Sequence, residues 1–313
     1  MSSHDLTAPG SGPEAASRLR ARTRGPRRVL LAAGERSPLL ALIRAAELAE
    51  ELEAELHVLR VLAPPARAPA AKYSSTPPES DELRLLGAVL GCFQETRALS
   101  AQVSGRTLGN ARIEVRVGSF VDAVAQHAAG LRAMLVVVPA HDAEYGASIT
   151  LLARTLDLPV FVARPPTQGE TILAATDLRD PSYPVLHLAA DLARHLALNV
   201  IALHNYAPLG SPQSPSSSQS LSAEEEDELT ARAERLDSAT SALDAPSEGV
   251  LACANSTVDA ILGLASSSGA EVIVVGTRAP SLAGAALQCS VASEVAERAE
   301  PSVLVAPLRC VLH

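Results

Sequence analysis

Residues 45–64 read AAELAEELEAELHVLRVLAP, and residues 189–208 read AADLARHLALNVIALHNYAP. The two stretches align over twenty positions without a gap, at a constant separation of 144, with eight identities. Each begins with Ala and Leu at helical spacing and passes into a short apolar run, the transition from an amphipathic helix into a buried strand. A second echo pairs Ser119-Phe120-Val121-Asp122-Ala123-Val124 with Ser256-Thr257-Val258-Asp259-Ala260-Ile261, each an S-x-x-D opening of a helix. A chain that repeats a helix–strand series in this way is an internal duplication.

Outward from these stretches, short β-branched or Leu-rich runs alternate with longer amphipathic ones, the pattern of βαβ units around a parallel sheet. In the first half the pattern predicts strands at 29–33, 56–62, 111–117, 134–138 and 160–163, with helices at 39–54, 81–103, 120–129 and 149–156. In the second half it predicts strands at 171–176, 199–206, 249–254, 271–275 and 302–306, and the two halves join at Gln168-Gly169. The expected domains are an Arg-rich tail at 1–27 and two α/β domains at 28–166 and 167–313. Each domain is expected to be an open five-stranded parallel sheet with helices on both faces. The duplication treats the two as separate sheets, so one continuous ten-stranded sheet, or unrelated topologies on either side of Gly169, would overturn it. Low-complexity loops at 64–80 and 208–222 follow the second strand of each half; their Ser and Pro content cannot pack a core. Ser222-Ala223-Glu224-Glu225 then restarts a helix as a capping box.

Composition narrows the function. The chain has 313 residues, with 47% hydrophobic, 19% charged and only 2% aromatic side chains, and no Trp. That is enough apolar surface for packed cores but too little aromatic area for base-stacking platforms. A net charge of −9 gives no basic field for nucleic acid. Lys72 is the only lysine, so no GKS or GKT sequence exists and a Walker-type P-loop is excluded. In the tail, Gly10-Ser11-Gly12-Pro13-Glu14-Ala15 matches GxGxxA by letter, but no strand precedes it. Cys92, Cys253, Cys289 and Cys310 form no CxxC pair, which fits a reducing cytoplasm. No apolar run approaches the roughly 18 residues that would cross a bilayer, and Gly34-Glu35-Arg36 cuts short the run after Arg27-Arg28 that would otherwise suggest an export signal.

In open α/β sheets the ligand crevice lies beyond the carboxyl ends of the strands where strand order reverses. In the second half Asp177 follows strand one, Gly276-Thr277-Arg278 follows strand four, and the next helix opens near Cys289-Ser290-Val291, where free N–H groups favour an anion. This arrangement resembles the universal stress protein family over two tandem copies from Arg28 to Pro307. The resemblance implies an adenine-nucleotide α-hydrolase-like fold, and a Gly-x2-Gly-x9-Gly-Ser/Thr motif that wraps ATP phosphates and ribose in nucleotide-binding members. It also implies that the fifth strands, 160–163 and 303–306, pair antiparallel across the halves into an internal pseudo-dimer; a homodimer of the whole chain is a further option. Residues carried over are Asp177 for base or ribose, Asn205 where an apolar residue often meets adenine, and Gly276, Arg278, Ala279, Cys289, Ser290 and Val291 around the phosphates.

The departures carry physical meaning. Ala279 and Cys289 replace two glycines, and a forced positive φ at Ala279 would cost on the order of 1 kcal/mol. The bulk of Cys289 beside the phosphates is the graver change. In the first half Gly34 replaces the acid, Pro139 replaces the first glycine, and only Ser148 survives, read as a helix cap. Three functions stay open: a regulatory module binding ATP in its second half, an ATP-dependent enzyme using Asp177, Arg278 and Ser290, and a ligand-free scaffold acting on a protein partner through its loops and tail. Cys289 at a helix start also invites a redox reading, against that of a small buried residue. His187, Asp191 and His195 share a helix face and read as solvated rather than as a metal site, and Asn255-Ser256-Thr257 reads as a helix cap rather than a glycosylation sequon.

Overall fold

The computed structural model describes residues 26–64, 81–103, 111–140, 146–178, 185–206, 223–277 and 290–307. The first half runs β1 (Arg28–Ala33), α1 (Leu39–Glu51), β2 (Glu55–Leu62), α2 (Asp81–Gln102), β3 (Arg112–Val117), α3 (Phe120–Leu131), β4 (Leu135–Pro139), α4 (Gly146–Leu156) and β5 (Val160–Ala163). The second runs β6 (Thr171–Ala175), α5 (Val185–Leu196), β7 (Asn199–Tyr206), α6 (Ala223–Ser241), β8 (Ser247–Cys253), α7 (Thr257–Ser268), β9 (Ala270–Gly276), α8 (Val291–Arg298) and β10 (Ser302–Ala306).

The strands lie in the order β3-β2-β1-β4-β5-β10-β9-β6-β7-β8. Read outward from the centre, both halves follow one scheme, fifth strand, fourth, first, second, third, as a duplication requires. All neighbours are parallel except β5 and β10, which pair antiparallel through Val162↔Val303, Phe161↔Leu304 and Val160↔Val305. The expected pairing of fifth strands is therefore present, and by forming it the two five-stranded sheets become one of ten strands. The expectation of separate sheets is corrected by that junction, and the duplication is not contradicted: continuity arises at the seam, while the topology on either side of it is the same.

Alternation along the strands sends successive side chains to opposite faces. Val29 and Leu31 enter the core under α1 and α5, whereas Leu30 and Ala32 enter the core under α3, α4, α7 and α8. Phe161, one of only three Phe, is fully buried at the seam. The outer edges are β3, carrying Arg112, Glu114 and Arg116, and β8, carrying Glu248; such charges discourage further strand addition.

Polar contacts tie the halves together on both faces. Arg44 of α1 pairs with the buried Glu271 of β9 at 2.6 Å, and Glu271 also accepts from the Thr167 backbone N–H at 2.7 Å. Removing one member of such a buried pair typically costs about 3–5 kcal/mol, because the other charge is stranded. On the opposite face Thr150 of α4 and Ser293 of α8 share a hydrogen bond of 3.0 Å. Ser256 caps α7, its Oγ accepting from the Asp259 N–H at 3.2 Å, as the cap reading of Asn255-Ser256-Thr257 expects. Ser119 occupies the matching position before α3 with extended backbone but makes no side-chain cap bond. Ser222 lies outside the described residues.

Candidate functional site

β6 and β9 are parallel neighbours, with Ala175 beside Val275, so the turns that follow them open side by side. Between them lies a cleft of about 680 Å³, bounded among the described residues by the ends of β6, β7 and β9, by α6 and α7, and by the start of α8. The chain leaves β6 through a tight turn. Thr176 Oγ1 accepts the Leu178 N–H at 3.2 Å, and Leu178 sits at φ 57°, which turns the backbone sharply around Asp177. Asp177 thereby lines the cleft.

Opposite Asp177, β9 ends at Gly276, also on the cleft wall. The next residue, Thr277, is buried, its N–H bonded to the Ala306 carbonyl at 2.9 Å. Ser290 stands at the N-cap of α8 with extended backbone, its Oγ accepting the Ser293 N–H at 3.2 Å. That leaves the hydroxyl proton of Ser290, and the first-turn N–H groups of Val291 and Ala292, for other acceptors. All three residues line the cleft. The structure thus brings together Asp177, Asn205, Gly276, Ser290 and Val291; Arg278, Ala279 and Cys289 lie outside the described residues, and with them the phosphate loop and the redox reading of Cys289.

Asn205 lines the cleft but commits its carboxamide to the turn before α7. Its Nδ2 donates to the Ala254 carbonyl at 3.0 Å and to Thr257 Oγ1 at 3.1 Å, while its Oδ1 accepts the Ala254 N–H at 3.0 Å. An amide used in this way fixes the far wall rather than offering a flat apolar face.

Several lining residues escaped the sequence reading. His204 Nδ1 lies 2.9 Å from the Thr176 carbonyl, and its Nε2 lies 3.1 Å from Arg232 Nη1. A carbonyl only accepts and a guanidinium only donates, so the ring carries its proton on Nδ1 and accepts on Nε2. Arg232 also bonds Glu228 at 2.6 Å and stacks 4.7 Å above the Tyr206 ring. The Glu228–Arg232 spacing of i,i+4 was readable as a helix pair, but nothing local signalled that α6 would lie over the β7 end. Arg154, from α4 of the first half, completes the wall; its Nε donates to Thr277 Oγ1 at 2.7 Å.

At the corresponding strand ends of the first half, an arginine is tied to the turn after β1. Arg60, at the position of His204 in the aligned stretches, is fully buried in β2. Its guanidinium donates to the carbonyls of Gly34 at 2.9 Å, Glu35 at 3.0 Å and Arg36 at 3.1 Å, and to Thr96 Oγ1 at 3.0 Å. Glu35 in turn accepts the Ala63 N–H at 3.0 Å. The turn after β1 is thereby drawn onto the end of β2, and Pro139 closes β4 where the second half has Gly276. The side chain of Ser148 lies outside the described residues.

Elsewhere, Asp191 is engaged by Arg194, and His195 Nδ1 contacts the Glu51 carbonyl of the first half at 3.1 Å. Among the described residues no three His, Cys, Asp or Glu side chains are grouped to hold a metal ion, and no helix is long and apolar enough to cross a membrane. Cys92 is buried, and burial pushes its thiol above the usual cysteine range.

Comparison with known proteins agrees with this architecture. Among solved structures, a protein from Pseudomonas aeruginosa UCBPP-PA14 aligns at TM-score 0.56 and 18% identity, covering 90% of this chain and 94% of that one. A universal stress protein from Archaeoglobus fulgidus DSM 4304 aligns at 0.52 and 12%, covering 89% and 96%. A universal stress protein from Archaeoglobus fulgidus, solved in complex with dAMP, aligns at 0.32 and 24%, covering 44% of this chain and 98% of that one. No curated protein matches the chain. The sequence profile of the Universal stress protein family matches twice, at residues 25–157 and 169–307, so the chain belongs to that family as a tandem of two of its domains.

Proposed function

We propose that the protein is a regulatory module of the cytoplasm that binds an adenine nucleotide, ATP in the first instance, in the crevice of its second half and does not turn it over. The observation that carries this reading is the convergence of Asp177, Gly276 and the Ser290-capped start of α8 on one cleft of about 680 Å³ at the point where strand order reverses. A carboxylate suits ribose hydroxyls or an exocyclic amine, a glycine lets a ligand approach the backbone, and a helix start suits a phosphate. The two cleft walls differ in kind: one offers hydrogen-bond donors at α8, the other is fixed by Asn205. His204 supports a binding role over a catalytic one, since both of its ring nitrogens are engaged within the protein. The first half then serves as scaffold, with Arg60 tied to the turn after its first strand.

The test is to purify the full chain, denature it, identify any released nucleotide, and titrate ATP into stripped protein. Binding with no released phosphate is expected, with Asp177→Ala weakening it about tenfold, as for loss of one charged hydrogen bond. Measurable hydrolysis would favour the enzyme reading, and no binding at millimolar ATP would leave a scaffold that works through protein contacts.

A further inference from the structure

We propose that Arg154 is a ligand-binding residue of the second-half crevice, supplied by the first half, and that it holds the phosphate groups of the bound molecule. The proposal rests on the nucleotide reading above and adds to it a composite site built by both halves.

Arg154 lies in the last turn of α4, which packs beside α8 across the seam. Its Nε is held by Thr277 Oγ1 at 2.7 Å, one residue beyond Gly276, and Thr277 is itself fixed by the Ala306 carbonyl. A guanidinium anchored through Nε presents its two Nη groups as a preset fork, the geometry that suits a phosphate. Among the described residues those Nη groups have no hydrogen-bond partner, and Arg154 shares the cleft wall with Ser290, Val291 and Ala292, where the free ends of α8 also favour an anion. The other arginine on the described wall, Arg232, is already committed to Glu228, His204 and the Tyr206 ring.

The duplication shows that the contact is one-sided. Superposing Ser148 on Ser290 places Arg154 opposite Ala296, and superposing Pro139 on Gly276 places Ala140 opposite Thr277. The first-half strand ends thus receive no arginine at the equivalent position, whereas the second-half cleft does.

The experiment uses the full chain and its Arg154→Ala and Arg154→Gln variants, the second of which keeps a donor for Thr277 but no charge. ATP, pyrophosphate and adenosine are each titrated, with the urea midpoint of every variant as a check on folding. Both variants are expected to weaken ATP and pyrophosphate about ten- to a hundredfold and to leave adenosine within about twofold. ATP binding should also lose part of its salt dependence. Unchanged ATP affinity, or equal weakening of ATP and adenosine, overturns the assignment while the nucleotide reading stands. If wild-type protein takes pyrophosphate but not ATP, the nucleotide reading falls and Arg154 is judged on pyrophosphate; if it takes neither, both fall.

Discussion

Arg60 and His204 stand at the same position of the two repeats, and each reaches back to the carbonyl groups of the turn that follows the first strand of its own half. The arginine spans three successive carbonyls, while the shorter imidazole holds one and lines the second-half cleft.

Replacing Arg60 should therefore damage the fold rather than the second-half site. Arg60→Met leaves the carbonyls of Gly34, Glu35 and Arg36 and the Thr96 hydroxyl without their donor. We expect a loss of about 2–4 kcal/mol in urea unfolding, with ATP affinity unchanged in the protein that remains folded. A loss below about 0.5 kcal/mol would mean that water replaces the guanidinium without cost.

Two glycine-to-alanine changes should act in opposite directions. A Cβ at Gly169 would lie 1.6 Å from the Gly269 carbonyl oxygen, so Gly169→Ala must push the inter-half connection off the end of α7 and should cost at least about 1–3 kcal/mol. Gly263 lies inside α7 with nothing within 4 Å of an added Cβ, so Gly263→Ala should gain about 0.5–1 kcal/mol. Paired thermal melts would decide both, and the same sign for the two variants would refute the steric account.

The helices α3 and α7 end alike, but with different residues. Gly269 closes α7 at φ 61°, ψ 42°, whereas Arg132 closes α3 at φ 53°, ψ 49°. A side chain in this left-handed region carries a penalty that glycine does not. Arg132→Gly should accordingly stabilise the protein, by about 0.5–1 kcal/mol, in equilibrium denaturation.

Acid should destabilise the first half through two histidines. Burial lowers the titration of His57 and His127 below 6.5, only partly offset by Glu55 and Glu114 nearby. The unfolded chain then takes up protons that the folded chain refuses, so stability is full above about pH 6.5 and falls as pH drops below it. Replacing both by Gln should flatten the urea midpoint between pH 7.5 and 5.5, and an unaltered slope would assign the acid sensitivity to other groups.

Much of the architecture could be read from residue pattern alone. The runs at 160–163, 199–206 and 302–306 are strands with the expected bounds, and the others differ by a residue or two at their ends, where hydrogen bonding rather than apolarity decides the last residue. The antiparallel join of β5 and β10 followed from family resemblance, since a four-residue apolar strand says nothing of its neighbour. The cleft lining was legible where a strand end or a helix start carries its own residues, as at Asp177, Gly276 and Ser290. It was not legible where distant elements meet: Arg154 enters the cleft only because the seam brings α4 against α8, and Arg232 only because α6 lies over Tyr206. Arg60 left a trace in the sequence, a lone cation inside HVLRVL, but its partners are carbonyls, which no side-chain motif announces.

The seam also decides how the molecule responds to concentration. A lone domain whose fifth strand needs a second copy obeys mass action and comes apart on dilution. Here the complementary strand arrives on the same polypeptide, so its local concentration is set by chain connectivity and stays constant however scarce the protein becomes. Two domains that have diverged this far can therefore keep their one-to-one pairing without ever having to find each other.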